Sequence, residues 1–244
     1  MGDIAAGSLV AARREHRTVA RLPEACRPAD LAAGYALQDR IVAALGIVGG
    51  WKIGAGDADE TPLYAPILAH EIHPSGATLA AVDFPGALIE AEIAFRVQRD
   101  LPRRVDLYDL ATVAAAVDVL PALEIYRSRY READVVSPAE NLADCLANAG
   151  LVVGEPASWP GNDADLSWDI DLVIDGERHE GRRLRHPVGD PLRLVVWLAN
   201  ELVARGDMLR AGQVITTGAL VLGRLGRDVG GDWQGLGAVS VRFT

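Results

Sequence analysis

Leu88-Ile89-Glu90-Ala91-Glu92-Ile93-Ala94-Phe95-Arg96-Val97 decides how the chain is read. Ile89, Ala91, Ile93 and Phe95 alternate with Leu88, Glu90, Glu92 and Ala94, the period of two that a strand with a buried face requires. Glu90 and Glu92 therefore share a face, with Cα atoms roughly 7 Å apart from the strand rise. Two carboxylates so placed repel unless a cation or basic residues lie between them. Outward from this strand, Val119 to Ile125 places Glu124 among apolar residues, so that acid needs a partner too. If the two segments lie side by side, three hard oxygen ligands converge, a set that suits octahedral Mg²⁺ or Mn²⁺. The alternative is that Glu90 and Glu92 face solvent or pair with arginines.

Basic residues sharpen the picture. Lysine and arginine together number 24, of which 23 are arginine, and the single lysine, Lys52, sits in Gly49-Gly50-Trp51-Lys52-Ile53-Gly54. Lysine, unlike arginine, shifts its pKa and moves protons, so this site suggests a buried functional amine.

The 244 residues suffice for one sizeable domain, or a small lobe and a larger one. Half of them are hydrophobic and 24% are charged, the balance of a globular protein. No apolar run reaches the ~18 residues of a membrane span. The net charge of −10 argues against nucleic acid as a partner. Cys26 and Cys145 suggest neither a disulfide framework nor a zinc site. The first residues lack a signal-peptide layout, so a cytoplasmic location is expected.

In chain order, helices are expected over residues 4 to 19 and from Pro28 to Leu45, forming a helical segment at 1–47 ahead of a larger domain at 48–244. A strand at Val48 to Gly54 precedes an acidic loop over 55–66 able to close on a site. A helix over 106–117 is expected with Asp106 as its N-cap, and Arg127-Ser128-Arg129 could hold a substrate carboxylate or neutralise nearby acids. Ser137-Pro138 opens a short helix, Asp175-Gly176 turns a hairpin, and a helix running to Arg205 follows Asp190-Pro191. A strand at Val214 to Thr217 leads into a glycine-rich stretch from Gly218 to Gly237, then a last strand to Phe243.

Several blocks occur in a telling order: Gly50-Trp51-Lys52-Ile53-Gly54, Glu90-Ala91-Glu92-Ile93-Ala94-Phe95, Leu120-Pro121-Ala122-Leu123-Glu124-Ile125, Leu142-Ala143-Asp144, Trp197-Leu198-Ala199 and Leu209 to Ala219. With them the chain resembles the 2-keto-4-pentenoate hydratase and 4-oxalocrotonate decarboxylase family of the fumarylacetoacetate hydrolase superfamily. The resemblance implies an α+β fold, a mixed β-roll behind a helical N-terminal segment. It also implies Mg²⁺ or Mn²⁺ on Glu90, Glu92 and Glu124, with Lys52 as the active-site lysine.

The activity implied is that of a hydratase-like lyase on a 2-oxo or 2-hydroxy-dienoic acid, working through a metal-chelated enolate. Lys52 would steady the enolate oxygen, or relay a proton once burial has lowered its pKa. A decarboxylase or an acylpyruvate C–C hydrolase on the same scaffold is the alternative; a non-catalytic partner subunit or oxo-acid binder is one of another class. A homo-oligomer is implied as well. The family usually carries an aspartate where His70 stands, an Asp-Asn pair at Asp144-Cys145, a small hydroxyl residue near Asn148 and a small or acidic residue at Arg127. His70 is then the expected replacement base, and Arg127, Asn148 and Thr217 the expected substrate contacts.

Overall fold

The structure of the protein, a computed structural model, describes residues 2–159 and 166–244. In chain order it runs α1 (Gly2–Arg14), α2 (Leu31–Leu45), β1 (Val48–Gly54), β2 (Leu63–Leu68), β3 (Ile72–Pro74), β4 (Ala77–Leu79), β5 (Leu88–Val97), α3 (Leu110–Ala114) and β6 (Val117–Tyr126). It continues through α4 (Pro138–Ala143), β7 (Asn148–Val153), β8 (Ala157–Ser158), β9 (Ser167–Ile174), β10 (Glu177–Arg185), α5 (Leu192–Ala204), β11 (Val214–Arg224), β12 (Asp228–Trp233) and β13 (Gly237–Phe243).

Among the described residues the strands form two mixed sheets. The first has the order β2-β1-β11-β5-β6-β7-β3, with β8 also pairing β6; the second is β10-β9-β12-β13-β4. Ile67 of β2, near one edge of the first sheet, shares a buried cluster with Leu151 and Val153 of β7, near the other, and with Ala94, Leu120, Ala122 and Val214. One face of the sheet is thus curled around these side chains. The opposite face, through Ile89, Ile93, Phe95, Leu123 and Ile125, packs with Ile170, Leu172 and Trp233 of the second sheet and Leu194 and Leu198 of α5. The N-terminal helices have a smaller core of their own, in which Ala5, Leu9, Leu37 and Ile41 meet Tyr130 and Ala143.

The alternation in β5 and β6 is realised by an antiparallel register that sets Glu90 opposite Glu124. Asp175 and Gly176, at φ of 52° and 84°, make the hairpin between β9 and β10. Ser137 caps α4 with a reciprocal bond to Glu140, and Gly206 at φ 85° follows α5.

Several element boundaries differ from expectation. Helix α1 stops at Arg14, and α2 begins at Leu31, because the Asp30 side chain, not Pro28, takes up the free Ala33 amide at 2.8 Å. Helix α3 is cut to Leu110–Ala114: Asp109, not Asp106, caps it, and Val117 is already paired with Val97 in the sheet. The 55–66 loop ends early, since Leu63 and Tyr64 pair with Gly54 and Ile53. The glycine-rich stretch is largely strand. A Cβ at Gly223 would lie 2.4 Å from Ile174 Cδ1, and one at Gly231 2.4 Å from Trp233, so glycine permits close strand packing there. No helix among the described residues is long and apolar enough to cross a membrane, and both cysteines are free thiols.

Candidate active site

Glu90, Glu92 and Glu124 each offer a carboxylate oxygen within 4.8 Å of the others. Glu92 and Glu124 are fully buried, and the Glu90 side chain is 15% exposed. Lys52 arrives from β1, which pairs parallel with β11, itself antiparallel to β5. Its ammonium donates to Glu124 Oε1 at 2.7 Å, lies 3.7 Å from Glu90 Oε2, and sits 4.9 Å from the centre of the Tyr126 ring.

Two of the carboxylates, Glu124 and Glu92, are held by neighbours that local spacing does not show. Asn148 Nδ2 donates to Glu124 Oε1 at 3.1 Å and the Thr216 hydroxyl to Oε2 at 3.4 Å. The Gly218 amide donates to Glu92 Oε2 at 2.7 Å. That amide is delivered by an irregularity in β11, where the pairing slips between Thr216 and Ala219 and Gly218 takes φ 108°. A second slip, between Ile125 and Tyr126, turns Asn148 toward Glu124. Before it, Cys145, Leu146 and Ala147 are all left-handed, with φ of 54°, 51° and 59°. Non-glycine residues adopt that conformation at roughly 1–2 kcal/mol each. The turn is fixed by the Arg127 amide on the Ala147 carbonyl at 2.7 Å and by buried Asp144, which accepts from the Arg129 amide at 2.8 Å and its Nε at 2.5 Å.

Burial, reinforced by repulsion from Glu124 and Glu90, pushes the Glu92 carboxyl well above the usual carboxylate range, and burial also raises Glu90. Lys52 corrects the sequence-based expectation. Burial is the largest single influence and pulls its pKa down, but the negative charges of Glu124, Glu90 and Glu92, with the hydrogen bond to Glu124, together push it further up. The amine is thus held as an ammonium.

Glu92 Oε1 is buried and has no hydrogen-bond donor. An oxygen desolvated without a partner is costly, and here it stands beside two further acids against a single ammonium. This donor set fits a hard divalent cation.

The chain is 30% identical over 259 residues to a 2-keto-4-pentenoate hydratase from Paraburkholderia phymatum, a match covering 98% of this chain and 96% of the relative. The chain belongs to the 2-keto-4-pentenoate hydratase family. No family model matches it. A solved structure of 4-oxalocrotonate decarboxylase from Pseudomonas putida G7, complexed with magnesium and adipate, superposes at a TM-score of 0.84 with 25% identity, covering 100% of this chain and 97% of that one. A fumarylpyruvate hydrolase from Pseudomonas aeruginosa, in complex with Mn²⁺ and pyruvate, shares the fold at a TM-score of 0.54 with 19% identity, covering 80% of this chain and 88% of that one.

Against this family background the remaining sequence candidates separate. The structure brings Asn148 to the carboxylates, while the Thr217 hydroxyl donates to the Ile93 carbonyl at 2.7 Å and it is Thr216 that reaches Glu124. It does not bring His70 or Arg127 there. His70 is exposed on the turn after β2, and Arg127 follows Tyr126 and so leaves the sheet on the other face; both line a separate cavity. The Arg127 guanidinium donates to the Pro85 carbonyl at 3.1 Å and the His16 carbonyl at 3.0 Å. Reasoning from sequence missed Thr216, the Gly218 amide and Tyr126. Tyr126 alone had a local signal, two residues beyond Glu124 on the same strand face.

Proposed function

We propose that this protein is a metal-dependent hydratase-like lyase acting on a 2-oxo or 2-hydroxy-dienoic acid. The observation that carries the reading is the convergence of three carboxylates, two of them fully buried, on the chain's only ammonium, with Glu92 Oε1 left without a donor. Glu90, Glu92 and Glu124 would hold Mg²⁺ or Mn²⁺, which supplies the positive charge that makes proton removal beside a 2-oxo group easier.

The chain's own residues supply the rest. Lys52, kept protonated, is a hydrogen-bond and proton donor toward a substrate oxygen or carbon at the rim of the acid cluster. Asn148 and Thr216 fix the rotamer of Glu124, and the Gly218 amide fixes that of Glu92, so the acids are oriented before substrate arrives. Asn148 Oδ1 is buried with no donor and can accept from a substrate hydroxyl or an attacking water. The curled first sheet supports the β-roll description, with residues 1–47 as a separate helical segment on its outside. A homo-oligomer belongs to the same reading, checked by light scattering.

A second reading, decarboxylation on the same scaffold, is favoured by the 0.84 superposition on a 4-oxalocrotonate decarboxylase. Incubation with Mg²⁺ and a panel of 2-hydroxy-dienoates and acylpyruvates, with products identified by mass, separates the outcomes. Hydration keeps every carbon, decarboxylation loses one, and C–C hydrolysis gives two acids. Failure to turn over any of them, with oxalate still binding in a metal-dependent way, would leave a non-catalytic oxo-acid binder.

A further inference from the structure

Behind the carboxylate centre, on the other side of the wall formed by β6 and β7, lies a cavity of about 390 Å³. Its charged lining is dominated by Arg13, Arg14, Arg127 and Arg129, with His16, His70 and His73. Of the two acids in the lining, Glu71 is paired with Arg13 at 3.1 Å, and Asp83 is partly exposed, 3.7 Å from the His16 ring. Arg129 is matched by Asp144 below the surface.

Arg127 is different. It is only 6% exposed, its guanidinium bonds to two backbone carbonyls, and no carboxylate among the described residues pairs with it. A buried guanidinium without a counter-charge is costly. A second irregularity points the same way: Arg13 Nε, on another buried arginine of the lining, has no acceptor. Arg14 donates one bond, to the Ala44 carbonyl at 2.7 Å, from an exposed position at the rim. The chain as a whole carries −10, so this local reversal of sign is not a by-product of composition.

We propose that this outer cavity is a binding site for a small oxyanion, a carboxylate or phosphate group, held against Arg127 with Arg14 at the entrance. Guanidinium groups recognise both anions through paired, charge-assisted hydrogen bonds. The site is distinct from the acid cluster and does not depend on the lyase reading, since Glu90, Glu92, Glu124 and Lys52 are absent from its lining.

The test is calorimetric titration of the full-length, EDTA-treated protein with inorganic phosphate and, separately, with succinate; the tighter probe identifies the natural source of the anion. One saturable site is expected for at least one probe. Arg127→Gln should weaken it about ten-fold or more, the loss typical of a charged hydrogen-bond donor. Glu92→Gln should leave it unchanged. Should Arg127→Gln fail to fold, Arg14→Gln at the rim is expected to weaken binding about three-fold, the scale of a partly exposed ion pair. The proposal is overturned if neither probe saturates, if the folded arginine variant binds as the wild type does, or if Glu92→Gln abolishes binding.

Discussion

Two regions lie back to back across the β6–β7 wall, and their chemistry is of opposite sign. On the curled side three glutamates face one lysine, in excess of negative charge; on the outer side four arginines and three histidines line a cavity whose acids are Glu71, paired with Arg13, and the partly exposed Asp83. Glu124 and Arg127 are three residues apart, and strand alternation sends them to opposite faces. A local irregularity makes the same division at Asn148 and Ala149. Asn148 touches both regions: its amide donates to Glu124, while its carbonyl accepts from Arg13 at 2.5 Å and Arg129 at 2.6 Å. The difference teaches that net charge says little about a site, because a sheet one residue thick can separate a cation site from an anion site.

The strongest way to break the comparison is Glu92→Gln. Turnover and Mn²⁺ binding should fall together by more than about 100-fold, as expected for loss of a ligand. The metal-free variant should melt a few degrees higher, because a buried carboxylate with an unsatisfied oxygen has been neutralised. Turnover assays, Mn²⁺ titration by electron paramagnetic resonance and melting curves in EDTA read all three; an active variant with unchanged Mn²⁺ affinity sinks the metal assignment.

Lys52→Met should also lower turnover but move metal affinity and melting temperature the other way. Removing the proton donor lowers kcat by about 10²–10⁴-fold. The metal-free protein melts lower, since the three acids then repel without a counter-charge, but Mn²⁺ should bind at least as tightly because the ammonium no longer competes for Glu124. Equal loss of affinity in both variants would reduce Lys52 to a clamp on the carboxylates.

Asn148→Ala probes the shared residue. It removes the donor to Glu124 and the unpartnered Oδ1 but keeps the carbonyl that Arg13 and Arg129 use, so activity should drop about ten-fold with the outer region undisturbed. Equal kcat/KM for variant and wild type would show that Glu124 needs no such support.

These expectations show where the sequence was legible. The alternation of Leu88 to Val97, the isolated acid of Glu124 and the solitary lysine were enough to assemble the acid cluster, because each signal is local and β5 pairs directly with β6. The Gly218 amide, Thr216 and the turn of Asn148 were hidden, since each depends on an irregularity in pairing between strands far apart in sequence. Thr217 was preferred to its neighbour because nothing local reveals that the pairing slips after Thr216. The strands within the glycine-rich stretch are hidden for a related reason: Ile174, whose bulk requires glycine at Gly223, lies far away in sequence. His70 and Arg127 are expected at the site because they stand where the resembled family carries other residues, and only the face of the sheet assigns them to the outer cavity.

The smallest effect concerns how the curled wall is anchored. His186 is buried, its Nδ1 accepting from the Val188 amide at 3.3 Å and its Nε2 bonded to the Thr217 carbonyl at 2.7 Å. Accepting at one nitrogen and donating at the other requires the neutral ring. Burial accordingly lowers its pKa from 6.5, outweighing the Thr217 carbonyl, which favours the charged form. Below the unfolded-state value the denatured chain then binds a proton that the native ring resists, so stability is complete above about pH 6.5 and declines as pH falls toward the lowered native value. His186→Gln, which keeps a donor for Thr217 but cannot titrate, should flatten that decline, moving the melting temperature at acid pH by a few degrees at most. Because Thr217 lies between Thr216 and Gly218, the wild type should also lose Mn²⁺ affinity more steeply than the variant over the same window. Identical pH profiles for the two proteins would show that the ring neither senses acid nor holds this stretch of β11 in place.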